Sequence, residues 1–277
     1  MRMSLFLISL LLSSAACSDP QEYGEKAGVD PANAAQPKDA GSTGPQPKAE
    51  AFAFEQKLEE KGGGALEFAF AWPAQVSAEP ELAAQLDKRR GDLFDETKAD
   101  WQSSVSECPA EAASCRNYSF ASEYQVVADL PRFLSLSIEF YTYTGGAHGM
   151  YGRSAQVWDR ETGQLFDPLA MFASQAALHK AVGAKACAAL DRMRVERRGE
   201  PIDDPAGEWP DNCPGMDETT LFVGSSNGKT FDRLGLYYGP YVAGPYAEGE
   251  YEVTLPVDAA VIAAVKPEYA SVFSVKR

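Results

Sequence analysis

Residues 133–143 read FLSLSIEFYTY, and this stretch decides the fold class. Leu134, Leu136, Ile138 and Phe140 fall on one side of an extended chain, with Ser135, Ser137, Glu139, Tyr141 and Tyr143 on the other. A period of two with one apolar side marks a sheet strand with one buried face. Upstream, Leu130 and Pro131 form a turn that leads back into another strand over 118–129. Downstream, TGGAHG at Thr144–Gly149 is a tight connection, because glycines accept backbone angles closed to other residues. A strand over 152–159, the turn ETGQ and a short extension over 164–166 continue the pattern.

Farther out, Leu66, Phe68, Phe70 and Trp72 alternate with Glu67, Ala69 and Ala71, so a strand at 65–76 opens the folded body. From 79 to 107, Leu82, Leu86, Leu93, Phe94, Trp101 and Val105 recur at helical spacing, with Gly91 marking a bend or break. A second helix, 174–198, carries Leu178, Val182, Ala186, Leu190 and Met193; its basic end, Arg192, Arg194, Arg197 and Arg198, suits the negative pole of the helix dipole. The proline-rich stretch 199–217 is an irregular loop. Strands near 219–224, 231–238 and 250–256 and a short helix over 258–264 follow, with GSSNG at Gly224–Gly228 as a hairpin turn. The class is α+β: a mostly antiparallel sheet with two main helices packed on it.

The first residues, MRMSLFLISLLLSSAAC, read as a signal peptide over 1–16. Their apolar run, Leu5–Leu12, is too short to span a bilayer, which takes about 20 residues. Cys17 after Ser14, Ala15 and Ala16 is similar to a lipobox, with Ser14 where Leu is usual. Lipidation of Cys17 would anchor the chain to a membrane; the alternative is ordinary cleavage after Ala16 and a soluble periplasmic protein. Ser18 after the cysteine is similar to lipoproteins sent to the periplasmic face of an outer membrane. Residues 18–50, rich in Pro, Ala, Gly, Gln and Lys, cannot bury enough apolar surface to fold and read as a tether.

The chain has 25 basic and 40 acidic residues, a net charge of −15. That charge disfavours nucleic acid and anionic lipid as partners and favours cationic ones; it is equally a means of solubility. Beyond Cys17 stand Cys108, Cys115, Cys187 and Cys213. In an oxidising compartment an even count points to disulfides. Three pairings exist. The local ones, Cys108 with Cys115 and Cys187 with Cys213, are favoured and would contribute roughly 2.5 and 3.5 kcal/mol by loop-closure entropy. Neither a C-x-x-C pair nor a histidine cluster offers a metal site, and no cofactor is expected.

Two further stretches carry a resemblance: YTYTGGAHGMYGRSAQVWDRETGQLFDPLAMF at 141–172 and LGLYYGPYVAGPYAEGEYEVTLP at 234–256. The tokens are TGGAHG, the run from Asp159 through Thr162 and Gly163 to Phe172, and GPYVAGPYAEGEYEV at 239–253. Together they resemble the extracytoplasmic RsiV-like domain, found in lysozyme-sensing anti-sigma factors and beside the deacetylase module of PdaC-type cell-wall enzymes. The resemblance implies a two-part unit, an N-terminal PdaC/RsiV-like subdomain at 51–140 and a C-terminal subdomain at 141–277. It also implies a lysozyme-like muramidase as partner, with peptidoglycan the other envelope target. The deacetylase chemistry is not carried over, because that module's paired histidines are missing.

Only two histidines exist, His148 and His179. His179 reads as a helix-surface residue. His148, set among glycines, is either a general base or contact residue, or a structural side chain bonded to a neighbouring carbonyl. Tyr141, Tyr143, Tyr151, Tyr237, Tyr238, Tyr241 and Tyr246 crowd the two family stretches; Tyr141, Tyr143, Tyr151, Tyr238, Tyr241 and Tyr246, with His148, are the interface candidates. Three functions follow: a binding lipoprotein that captures a cationic hydrolase, an enzyme or accessory protein acting on envelope glycan through His148, or a purely structural lipoprotein.

Overall fold

The computed structural model describes residues 49–109, 111–202 and 207–276. The signal peptide, Cys17 and nearly all of the tether lie outside the described residues. In chain order the body is built from β1 (Phe52–Glu59), β2 (Ala65–Trp72), α1 (Ala74–Ser77), α2 (Pro80–Glu107), β3 (Tyr118–Asp129), β4 (Phe133–Tyr143), β5 (Met150–Asp159), β6 (Gln164–Phe166), α3 (Gln175–Arg198), β7 (Thr220–Gly224), β8 (Arg233–Tyr238), β9 (Tyr251–Pro256) and α4 (Ala259–Ala264). Strands β1 to β6 form one sheet in sequence order, and β7 to β9 form a second. Every pair is antiparallel except β2 with β3, which α2 joins by a crossover. The class is α+β.

The periodicities hold. In β2, Leu66, Phe68, Phe70 and Trp72 are buried; with Tyr124, Leu134, Leu136, Ile138 and Trp158 they make the sheet face that receives Leu82 and Leu86 of α2. Helix α2 runs through Gly91 without a break, because its apolar face is bound to the sheet on both sides of that residue. The opposite sheet face, with Phe133 and Val157, packs against α3, α4 and the second sheet in a larger core. Near its start β4 is therefore covered on both sides: Phe133, Leu134, Ser135 and Leu136 are all buried. Beyond Ile138 the cover thins, and Glu139 and Tyr141 are exposed. The site emerges at this end of the strand.

The strand expected over 65–76 stops at Trp72, where Pro73 leads into the helix at Ala74–Ser77, and a further strand precedes it. The body opens with β1, not with β2, and Phe52 pairs with Trp72 and Phe54 with Phe70 across a turn at Gly62–Gly64. As an edge strand β1 exposes most of its residues; Ala53 and Gln56 blur its alternation, while the exposed charges of Glu55, Lys57 and Glu59 discourage pairing with another chain. The boundary at 140/141 drawn from the resemblance falls inside β4, and the sheet continues through it.

Both ends of α3 are capped. The Ser174 hydroxyl accepts from the Ala177 N–H, and Gly199 closes α3 at φ 74°. Disulfides join Cys108 to Cys115 and Cys187 to Cys213, with Cα–Cα distances of 5.9 and 5.5 Å. The run from Asp159 has a structural reason. Arg132 donates to Asp159 through two bonds of 3.0 and 2.7 Å, and the Glu161 N–H donates to the same carboxylate, closing the β5–β6 turn. Burial works to raise the Asp159 pKa, but these bonds outweigh it and hold the carboxyl below its ordinary value.

Candidate functional site

Two loops meet where β4 becomes exposed. The first is Thr144–Gly149, between β4 and β5, whose Gly145 and Gly146 adopt φ of 104° and 95°. The second is residues 239–250, between β8 and β9, with a 3-10 turn at Tyr246–Glu248. The Tyr246 hydroxyl donates to the Gly149 carbonyl at 2.9 Å, and the His148 ring stacks on Tyr246 at 4.0 Å between centroids and 23° between planes. His148 Nδ1 lies 2.8 Å from the same carbonyl. A carbonyl oxygen only accepts, so this bond puts the proton on Nδ1 and leaves the lone pair of a neutral ring on Nε2.

Around this pair a band of aromatic rings assembles. Tyr241 and Tyr151 flank Tyr246 at 5.5 and 5.9 Å. Tyr141 pairs with Tyr151 across β4 and β5, and its ring covers Gly149, where a Cβ would come within 2.5 Å of it. The Tyr143 hydroxyl donates to the Gly146 carbonyl at 3.0 Å, which holds the first loop from within. Trp209 joins from the proline-rich loop: its indole N–H donates to the Tyr241 carbonyl at 3.0 Å. Trp209, Tyr241 and Tyr141 are 52, 47 and 40% exposed, so the band faces solvent.

Tyr241 is also the one non-glycine residue with positive φ, 69°, among the described residues. A bulky side chain there is uncommon and costs energy that the surroundings must offset, a pattern concentrated at functional sites.

The second loop is held from beneath by α3. Arg194, 0% exposed, donates to the carbonyls of Ala243, Asp211 and Asn212 at 2.9, 3.0 and 3.0 Å. Arg198 bonds the Glu248 carboxylate at 2.9 and 3.1 Å and Asp211 at 2.6 Å; Arg197 donates to the carbonyls of Glu248 and Glu250 and lies 4.0 Å over the Tyr251 ring. Three of the four arginines read from sequence as dipole partners, Arg194, Arg197 and Arg198, are thus a clamp on the loop. Sequence reasoning missed this clamp and Trp209, although an aromatic residue in a polar, proline-rich loop was a usable signal.

Tyr238 is a correction to the interface candidates. It sits in the larger core at 0% exposure, because β8 points it inward, and burial, opposed by Arg194, raises its phenol pKa to about 12. Tyr237 is buried as well. His148 meets a backbone carbonyl and a tyrosine face, with no carboxylate bonded to it among the described residues. His179 is exposed on α3. Among the described residues no group of three His, Cys, Asp or Glu side chains is arranged to hold a metal ion, and no helix is long and apolar enough to cross a membrane.

Residues 59–151 match the family model described as Deacetylase PdaC. This segment is a PdaC-type domain. The match takes in the crossover unit, β4, the first loop and His148, and ends at Tyr151. The loop at 239–250 lies beyond the PdaC-type segment, so the aromatic band joins it to the rest of the body. Among solved structures, the chain is similar to a DUF3298 family protein from Pseudomonas aeruginosa PAO1 at 19% identity and a TM-score of 0.53, covering 82% of this chain and 96% of that one. It is also similar to a DUF3298 family member from Bacteroides fragilis NCTC 9343 at 19% identity and a TM-score of 0.46, covering 75% and 89%. The first of these likenesses establishes a shared fold beyond the PdaC-type segment. No curated protein sequence matches the chain.

Proposed function

We propose that this protein is a non-catalytic binding module of a bacterial cell envelope that captures a cationic protein, a cell-wall hydrolase of the lysozyme type, through its aromatic band. A lipidated Cys17 and the tether would hold it at the periplasmic face of an outer membrane. The observation that carries the reading is the group of rings formed by His148 stacked on a half-buried Tyr246 and Tyr241 tilted against it, beside an exposed Tyr141, with Tyr241 kept in a strained backbone. Exposed aromatic rings are the residues that anchor protein interfaces, and a net charge of −15 draws in a basic partner. The absence of a carboxylate on His148 among the described residues weighs against the acid–base alternative.

The test is calorimetric titration of the protein with a c-type lysozyme at low and high salt, beside the Tyr246→Ala variant. Micromolar or tighter binding that weakens with salt and with the variant supports the reading. No heat at low salt would remove the hydrolase as partner. One observation favours a second reading, contact with envelope glycan: Nε2 of His148 has no protein partner among the described residues, beside ring faces on which a sugar can stack. Titration with a soluble chitooligosaccharide separates the two.

A further inference from the structure

None of the four body cysteines belongs to either large hydrophobic core. The first disulfide instead lies against one loop of the aromatic band, and the second ties α3 to the segment that shares its arginines with the other loop. Cys115 is part of the 3-10 turn Ser114–Arg116, which Trp101 and Ser104 of α2 bind through the Arg116 and Cys115 carbonyls at 2.9 and 2.8 Å. Gly145 of the first loop rests on that turn: a Cβ there would stand 3.1 Å from the Ser114 carbonyl oxygen and 3.5 Å from Cys115 Cα.

On α3, Arg194 and Arg198 follow Cys187 by two and three helical turns, so all three share a face. The partner of Cys187, Cys213, directly follows Asp211 and Asn212, which those arginines hold. The same arginines grip Ala243 and Glu248 of the second loop, and Trp209, just upstream of Cys213, bonds Tyr241.

We propose that the two disulfides form a redox latch on the aromatic band: oxidised, they fix its two loops in register for ligand, and reduction by a dithiol releases them. All four cysteines are half-buried and so within reach of such a reductant. In each step a thiolate of the dithiol attacks one protein sulfur, and its second thiol resolves the mixed disulfide. The protein gains two electrons and two protons as a pair of cysteine thiols, and the dithiol leaves as its own disulfide. The effect on capture rests on the binding reading above; the release of the loops does not.

The chain's two histidines make the test direct. The full-length protein is followed by proton NMR before and after dithiothreitol, with bond cleavage verified by thiol titration. The His148 ring protons, shifted by the Tyr246 ring beneath them, should move toward free-histidine positions while the His179 signals and the far-ultraviolet circular dichroism hold. If the released band is formed about a tenth of the time, the apparent Kd for a c-type lysozyme rises about tenfold. Unmoved His148 signals with both bonds broken would overturn the latch.

Lysozyme that fails to bind even the oxidised protein would sink the hydrolase reading alone, because the His148 signals still decide the latch. Should dithiothreitol unfold the whole body, two paired variants decide. Cys187→Ser with Cys213→Ser should speed amide exchange over 239–249, and Cys108→Ser with Cys115→Ser over 144–149. Global unfolding of both paired variants would show that the bonds hold the body and not the loops, and would refute the proposal.

Discussion

Replacing Tyr241 by Asn should make the protein more stable and its aromatic band less able to bind. Tyr241 holds φ at 69°, a left-handed conformation that costs a residue with a bulky side chain about 1–2 kcal/mol and that Asn visits readily. The substitution relieves that cost. It also removes the ring contact with Tyr246 at 5.5 Å; such pairs contribute about 0.5–1.5 kcal/mol, and the low end applies at a residue 47% exposed. The bond from Trp209 goes to the backbone carbonyl and survives. The balance is a gain of about 0.5–1.5 kcal/mol, or a rise of roughly 1–6 °C in Tm for a body of this size. Urea unfolding at equilibrium measures it as a higher midpoint with unchanged slope. Calorimetry against the partner should show Kd raised at least about tenfold, the loss of one central aromatic anchor. Tyr241→Phe, which keeps both ring and strain, should change neither. A lower midpoint for Asn, by the equivalent of about 1 kcal/mol or more, would mean that Tyr241 is there for packing and would refute the argument from strain.

Asp159→Asn should destabilise by about 2 kcal/mol at neutral pH, since it weakens a paired, nearly buried carboxylate. The folded-state carboxyl lies below its ordinary value, so its stabilisation is full above about pH 4 and is lost as pH falls through the folded value; the gap between wild type and variant in urea titrations should close over that interval. A gap that stays constant down to pH 2 would contradict this. Arg194→Met should cost about 3 kcal/mol in thermal or urea unfolding, because three loop carbonyls lose their donor inside the protein. Two glycines should respond with opposite signs. Gly91→Ala, in open space within α2, should stabilise by about 1 kcal/mol, whereas Gly145→Ala, at φ 104° and against the Ser114 carbonyl, should cost about 2 kcal/mol. Equal responses at the two sites would show that the loop does not rest on the disulfide turn.

How much of the fold was legible depended on how each element is buried. Strand β2, the outer half of β4 and helices α2 and α3 bury one face each, and burial of one face is what writes a period of 2 or 3.6 into a sequence. Edge strand β1 buries little, and Ala53 and Gln56 blur its period, so the sequence marks β2 and not β1 as the strand that opens the body. The parallel pairing of β2 with β3 was hidden too, since a strand's pattern specifies its faces and not its neighbour. In the site, residues three apart took opposite fates: Tyr238 is in the core and Tyr241, just beyond the strand, is exposed.

By itself, then, the sequence determined what local patterning can encode. That covers the α+β class, most strands and both long helices, and the short-range pairing of Cys108 with Cys115. Only the tertiary structure decided that His148 lies on Tyr246, far along the chain, and that Arg194 and Arg198 hold the loop that carries Tyr241 and Tyr246. The physical reason is that local preference acts over a turn or a strand. The aromatic band exists only after two sheets and a helix have packed, when side chains with no sequence relation to one another come within a few ångströms.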